Sequence, residues 1–318
     1  MTGGPRVYLA ACAGLPSSDG DDDALPSALA AVGVDARWVV WDDPGVDPAG
    51  ADLVVLRATW DYSERRDAFL TWCDAVPRLA NPPDVVRWNT DKSYLLDLAA
   101  AGVAVVPTEL VPAGTVPRWP DTDFVVKPVV GAGSRGAAQF APGQSAAAEA
   151  HLAGLHASGA AALLQPYQPA VDTEGETALV YFAGVYSHAF VKGAMLSDGA
   201  GMDPSGLYVT ERLRPAEPDG AQRRLAEDTL DAACGLLGRS RGELLYARVD
   251  VVRAERGSPA LLELELAEPS LGFRQADAGA ALRFASAVRA LLPERSRRRP
   301  VPATAPRPAA APARRPRG

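Results

Sequence analysis

The stretch VVKPVVGAGSRGAAQF, residues 125–140, is the strongest local constraint on the fold. Gly131, Gly133 and Gly136 read as G-x-G-x-x-G, a spacing shared by dinucleotide-binding loops, kinase phosphate loops and chance sequence. A dinucleotide loop follows a strand and opens directly into a helix, with an acidic residue about 20 positions on. Here AAQFAPG follows the last glycine and reads as a second strand and a turn, so no helix N-terminus is at hand. A Walker A loop ends in Gly-Lys-Ser/Thr, where this chain has Ser134-Arg135-Gly136. A protein-kinase loop precedes its strand lysine, whereas Lys127 comes before these glycines. What remains is a strand-borne lysine followed by a flexible glycine hairpin that can fold over phosphates.

Lysine itself is scarce. The chain of 318 residues has 32 Lys and Arg together, and only Lys92, Lys127 and Lys192 are lysines. A compact ammonium suits a single phosphate oxygen, whereas guanidinium is a wide planar fork. Lys127 sits inside an apolar strand-like run and Lys192 ends another. Lys92 is expected in a helix's first turn, where the dipole favours acids instead. All three placements suit an anion-binding role.

Residues 6–85 alternate strand and helix signals: RVYLAAC, the loop LPSSDGDDD, the helix-like ALPSALAAVG, then the strands DARWVVW and ADLVVLR. This rhythm predicts a small parallel sheet with helices on its faces and ligands beyond the carboxyl ends of its strands. RATWDY, from Arg57 to Tyr62, is at such an end and is a candidate substrate loop. TDKSYLLDLAAAG reads as a helix starting at Thr90 or Asp91 and stopped by Gly102. Beyond it VAVVPTELV, DFVVKPVV, AALLQPYQP, TALVYFAGVYSHAFVKG, LYARVDVV and ALLELEL read as strands. SAAAEAHLAGLHASG and DGAQRRLAEDTLDAACGLLG read as helices, so this second part is α+β with antiparallel hairpins.

YARVDVVRAERGSPALLELELAEPSLGF, residues 246–273, predicts one such hairpin. With its turn centred between Arg256 and Gly257, Asp250 lies opposite Glu263, and Glu265 follows on the same face. Opposed like charges destabilise a sheet, so something must compensate: a bound cation, or water if this is a solvent-facing strand with alternating charges. Mg²⁺ prefers carboxylate oxygens and retains water and phosphate ligands. Arg248 falls on that face too and could orient a negative substrate group.

Several classes are excluded. No apolar run approaches the roughly 20 residues needed to span a bilayer. Cys12, Cys73 and Cys234 are isolated and odd in number, which predicts reduced thiols in a cytoplasmic protein. His151, His156 and His188 are too scattered for a metal cluster. The net charge of −7 divides into +7 on residues 294–318 and −14 on the rest. An acidic body argues against a nucleic-acid-binding fold, and the Arg/Pro/Ala-rich tail is expected to be disordered.

Taken in order, these parts resemble the ATP-grasp ligases, over roughly residues 50–275. The resemblance implies an α/β N-terminal domain with a small parallel sheet and two α+β lobes gripping ATP. The expected divisions are 1–88, 89–165 with the glycine loop, 166–293 with the metal hairpin, and the tail 294–318. NTDKSYLLDLAAAGVAVVPT is similar to the family's Asp-Lys helix, which implies Lys92 near phosphate; FVVKP implies Lys127 as a second contact. GAGSRG, with Gly131, Gly133, Ser134 and Gly136, corresponds to the mobile loop. LLQPYQP resembles the hinge that meets adenine around Gln165 and Tyr167. EGETALVYF implies ribose contact by Glu176, and HAFVKG implies Lys192 as the third phosphate lysine and a catalytic group.

RVD followed by LLELE resembles the terminal metal motif, which implies Asp250, Glu263 and Glu265 as ligands of Mg²⁺, with two ions expected. The motif usually ends Glu-x-Asn; the second glutamate here makes the site more negative. Arg248 is then the candidate for stabilising an acyl oxyanion, and Arg57, Asp61 and Arg274 are candidates for contact with substrate. Within the family, RATWDY, ELELAEPSLGF and the chain length resemble the cyclo-ligases that act on O-ureidoserine in cycloserine biosynthesis. The implied reaction is ATP-dependent activation of a carboxylate as an acyl phosphate, followed by attack of an amine, with intramolecular cyclisation in secondary metabolism as one form. LSDGAGMDPSG, residues 196–206, is expected to close over the site with the glycine loop. The expected partner is a small amino-acid-like molecule, with no nucleic acid or membrane and with homo-oligomerisation allowed. The alternative is a nucleotide-binding regulatory protein that has kept the grip and lost ligation.

Overall fold

The structure, a computed structural model, describes residues 4–157, 159–194, 201–210, 212–254 and 257–292. The tail, and residues 196–200 of the expected lid, lie outside them. Among the described residues no helix is long and apolar enough to cross a membrane.

The first sheet is parallel, in the order β2-β1-β3-β4: β1 (Arg6–Ala11), β2 (Asp35–Val40), β3 (Leu53–Ala58) and β4 (Leu79–Ala80). Helices α1 (Leu25–Ala31), α2 (Arg66–Ala75) and α3 (Pro83–Asn89) accompany it. All six residues of β3 are buried, as a strand covered on both faces requires. One face packs Val7, Leu9 and Val55 against Phe284 and Val288 of α8 (Ala280–Leu291), a helix absent from the sequence reading. The other packs Tyr8, Ala10 and Leu56 against Phe69 and Leu70 of α2.

Helix α4 (Tyr94–Ala100) starts later than expected. Asp91 accepts the Ser93 N–H at 3.0 Å and the Lys92 N–H donates to Val129 O at 2.8 Å. Lys92 therefore precedes the helix, and its unfavourable place in the dipole disappears. The VAVVPTELV stretch is divided at Pro107, which has no N–H to give a ladder. Before it, Val106 and Ala104 pair with Leu261; after it comes β5 (Glu109–Val111).

The second sheet is antiparallel, in the order β5-β8-β6-β7, from β5, β6 (Phe124–Pro128), β7 (Ala138–Phe140) and β8 (Ala162–Pro166), with α5 (Ser145–His156) on one face. After the short α6 (Ala170–Thr173) comes a third sheet, again antiparallel, in the order β11-β10-β9-β12-β13. Its strands are β9 (Glu176–Phe182), β10 (Val185–Lys192), β11 (Leu213–Ala216), β12 (Tyr246–Arg253) and β13 (Pro259–Glu265). Helix α7 (Gly220–Leu237) covers one face together with α4. Ala183 and Gly184 both take positive φ, the two-residue turn that joins β9 tightly to β10.

Candidate functional site

A cavity of about 510 Å³ opens between the second and third sheets and reaches the first. Strand alternation aims the side chains into it. On β6, Phe124 and Val126 are buried in the core, so Val125 and Lys127 take the opposite face and line the cavity. Gln165 is the cross-strand partner of Val125 and lines it too.

The hairpin has the predicted register, with Asp250 opposite Glu263 and Arg248 opposite Glu265. It also has a bulge: Val251 pairs with Leu261, so Leu262 is the extra residue. Leu261 and Leu264 are buried, while Leu262, Glu263 and Glu265 all line the cavity. One carboxylate oxygen from each of Asp250, Glu263 and Glu265 lies within 4.8 Å of the other two. These are hard oxygen donors and fit a divalent cation such as Mg²⁺.

Cations thread this cluster. Arg248 forks onto Asp250, with Nε and Nη2 each at 2.9 Å from its oxygens, and Nη2 also reaches Glu265 at 2.6 Å. Lys192 bonds Asp250 at 2.7 Å and Glu176, its cross-strand neighbour, at 2.8 Å. Lys92 is ion-paired with Glu263. Among the described residues Lys127 has no carboxylate within ion-pair distance. Burial pushes its ammonium below the ordinary lysine value, partly offset by Glu263.

The carboxyls respond unequally. Burial opposes ionisation of Glu263, but Lys92, Lys127 and Lys192 outweigh it and hold the group far below the usual range. Burial likewise opposes ionisation of Asp250, and Arg248 and Lys192 override it. Glu265 goes the other way, pushed up to about 7 by burial, with Glu263 and Asp250 adding repulsion that Arg248 does not cancel.

The proposed adenine end has Gln165, whose Nε2 donates to Thr108 Oγ1 at 2.8 Å, and Tyr167, whose hydroxyl donates to Asp172 at 2.5 Å. The Tyr167 N–H is itself occupied by Asp123 O at 2.8 Å. Val125, Val171 and Leu262 give this end apolar walls.

The glycine loop is latched from two sides. Val209 N donates to Gly133 O at 3.0 Å, and Arg135 bonds Glu64 at 2.6 Å as well as Ser63. Gly133 has φ +61°, and a Cβ there would lie 2.5 Å from Tyr208 Cβ and 2.7 Å from Leu207 O. Only glycine accepts both the conformation and the contact. Tyr208 meets Trp60 edge to face at 5.2 Å, so the 203–209 segment, the glycine loop and the turn after β3 adjoin one another.

Of the three expected substrate residues, Arg274 lines the cavity and Arg57 and Asp61 do not. Arg57 and Asp22, each 2% exposed, form an ion pair at 2.9 Å with the guanidinium over the Tyr246 ring. Asp61 accepts Trp41 Nε1 at 2.9 Å and is ion-paired with Arg65. Asp61 and the Nε and Nη2 of Arg57 are thus held by protein partners away from the cavity wall, while Arg57 Nη1 is buried with no hydrogen-bond partner among the described residues. The reading also passed over Glu268. It is 7% exposed, lines the cavity, and its carboxyl is pushed up to about 8 by burial and then by Glu265. An acid set among apolar residues just past the metal hairpin was the available signal.

Comparison with known proteins follows the same lines. Residues 7–81 match the family model of the N-terminal domain of D-cycloserine synthetase DcsG. The chain is 40% identical over 284 residues to the cycloserine biosynthesis protein DcsG of Streptomyces lavendulae, covering 85% of this chain and 93% of that protein. The crystal structure of D-cycloserine synthetase DcsG superposes with a TM-score of 0.81 at 36% identity, covering 91% of this chain and 100% of that one. The D-alanine–D-alanine ligase of Bacillus anthracis shares the fold at a TM-score of 0.62 and 13% identity, over 90% and 96% of the two chains. So does the ATP-grasp ligase PsnB, solved with a precursor variant, Mg and ADP, at a TM-score of 0.56 and 17% identity over 90% and 98%.

Proposed function

This chain belongs to the DcsG family of ATP-grasp ligases, and from that premise we propose how its residues divide the work of ATP-dependent carboxylate–amine ligation. The observation that carries the assignment is the meeting of Lys92, Lys127 and Lys192 with Glu263 and Glu265 in one cavity beside the glycine loop, with Asp250 buried behind Lys192 and one of its oxygens within 4.8 Å of theirs.

Adenine occupies the slot of Val125, Gln165, Tyr167 and Leu262, and Glu176 contacts the ribose. Lys92, Lys127 and Lys192, with the loop Gly131, Gly133, Ser134 and Gly136, hold the phosphates. Asp250, Glu263 and Glu265 would hold Mg²⁺, two ions in this reading, and the metal would supply charge neutralisation for the transferring phosphoryl group. Lys92 and Arg248 release the carboxylates that they cover as nucleotide enters. The substrate carboxylate oxygen attacks the γ-phosphorus and ADP leaves, giving an acyl phosphate. The substrate's nucleophilic nitrogen then attacks the carbonyl carbon, phosphate departs with the C–O bond electrons, and the proton lost by the nitrogen passes to the departing phosphate. Arg248 faces the carbonyl oxygen and stabilises the negative charge that develops there. The latched glycine loop excludes water that would hydrolyse the acyl phosphate. Arg274 receives the substrate at the far end of the cavity. The substrate is a small amino-acid derivative of the O-ureidoserine type, and ligation is intramolecular. The divisions near residues 88, 165 and 293 mark the three working parts and the tail.

ADP release over O-ureidoserine and a panel of amino acids and amines tests this reading. Lys127→Ala is expected to abolish turnover while leaving the fold intact; near wild-type activity in that variant would sink the assignment. A regulatory protein without ligation finds no supporting feature among these residues.

A further inference from the structure

Glu268 is the acid at the substrate end that no step above uses. It follows β13 by three residues and is fixed from the N-terminal side. Trp60 Nε1 donates to its carbonyl at 3.0 Å, and Tyr62 lines the same cavity. Tyr62 is itself buried and stacked on Phe69 at 5.2 Å, so this wall of the cavity is packed into the N-terminal core.

Other buried carboxylates have a protein cation or backbone donor. Asp22 has Arg57, Glu176 has Lys192, and Asp250 has Arg248 and Lys192. Asp21 accepts the Arg274 N–H at 3.1 Å. Among the described residues Glu268 has no cation within ion-pair distance, although it is 7% exposed and lines the cavity. Burying a carboxyl without a cation is costly, and such a group persists where a ligand supplies the missing charge. Its place also fits. An α-amino acid carries its ammonium two bonds from the carboxylate carbon, so the acceptor must line the same cavity as the phosphoryl-transfer centre, as Glu268 does three residues after Glu265.

We infer that Glu268 accepts the α-ammonium group of the amino-acid substrate and selects for it. This rests on the ligase reading above. The residue touches substrate and sets specificity, and the same geometry rejects carboxylic acids that lack the amine.

The test compares O-ureidoserine with its desamino counterpart, 3-(ureidooxy)propanoate, by ADP release at saturating MgATP. Wild type is expected to favour the amine in kcat/KM by about 100-fold or more, because a site built around a polar group strongly rejects an analogue without it. Glu268→Gln is expected to bring that ratio to within about threefold while the KM for ATP moves less than about twofold. Glu268→Asp, which keeps the charge on a shorter arm, retains part of the preference and serves if the glutamine variant does not fold. A wild-type preference below about fivefold, or equal losses on both compounds in the variant, would overturn the inference; equal losses would signify a base or a structural role. No ADP from wild type with either compound would remove the ligase reading, and this inference with it.

Discussion

Arg57 in the first sheet and Arg248 in the third each bury a guanidinium against an aspartate, 2% and 4% exposed. Their surroundings differ. Arg57 and Asp22 pair one cation with one anion at the carboxyl end of β3, and Arg57 Nη1 is left buried without a hydrogen-bond partner among the described residues. Arg248 shares Asp250 with Lys192 and also holds Glu265 and the carbonyl of Ser270. A one-to-one pair has one low-energy arrangement and builds fold. A shared network with carboxyls displaced in both directions can exchange partners when a charged ligand arrives, and so builds a site.

Breaking the one-to-one pair should show the largest effect. Arg57→Leu leaves Asp22 buried and uncompensated, and about 3–5 kcal/mol of stability is expected to go, read by chemical denaturation. If the contrast is right, the double variant with Asp22→Asn recovers much of the loss, since two neutral groups replace one stranded charge. Loss of nucleotide binding with unchanged stability in Arg57→Leu would show instead that this pair belongs to the site. Glu263→Gln is the opposite case. Its stability should fall by about 1–3 kcal/mol, less than in Arg57→Leu, since Lys92 loses its partner in a less deeply buried pair, while Mg²⁺-dependent nucleotide affinity falls about 100-fold. Metal-independent affinity, unchanged by the substitution, would remove Glu263 from the ligand set.

The contrast was only half legible in the sequence. Period-two alternation in VVKP and LLELE is a local property, so the facing of Lys127 and the register of Asp250 with Glu263 could be read directly. The bulge at Leu262 could not, because a one-residue insertion depends on how the partner strand is held. The role of Arg57 depends on Asp22, 35 residues away and folded over it by the loop before α1. At a strand's carboxyl end a buried structural arginine and a substrate arginine look alike. Lys92 shows the same limit on a smaller scale, since the Val129 carbonyl that takes its N–H comes from another strand end. Glu268 differs again: its apolar neighbours could be read from the sequence, but that no cation among the described residues lies within ion-pair distance could not.

The glycine loop lies between the two regions, and its latch to the turn after β3 couples them. Gly133→Ala would drive a methyl group into Tyr208 and Leu207 at a residue with φ +61°. Closure should be impaired without harm to either sheet, so an increase of about tenfold in the KM for ATP is expected, with thermal stability nearly unchanged. A variant equally impaired at saturating ATP and in folding would show that the loop is part of the core.

The smallest effect comes from the same strand as Asp250. Arg253 ends β12 and is ion-paired with Asp219, which caps α7 by accepting the N–H groups of Ala221 and Gln222 at 2.8 and 2.9 Å. The pair is largely solvated, unlike Arg248 and Asp250, so its Coulombic part is screened. Asp219→Asn keeps a competent cap and should cost less than about 1 kcal/mol at neutral pH. Its sign with pH is fixed by the carboxyl, which the Gln222 N–H and then Arg253 hold down at about 2 against an ordinary 3.8. A depressed carboxyl contributes stability that is present above 3.8 and is lost as pH falls toward 2. Denaturation midpoints of wild type and variant should therefore converge as pH is lowered from 4. A difference that stayed constant through that range would assign the effect to the cap's shape rather than its charge.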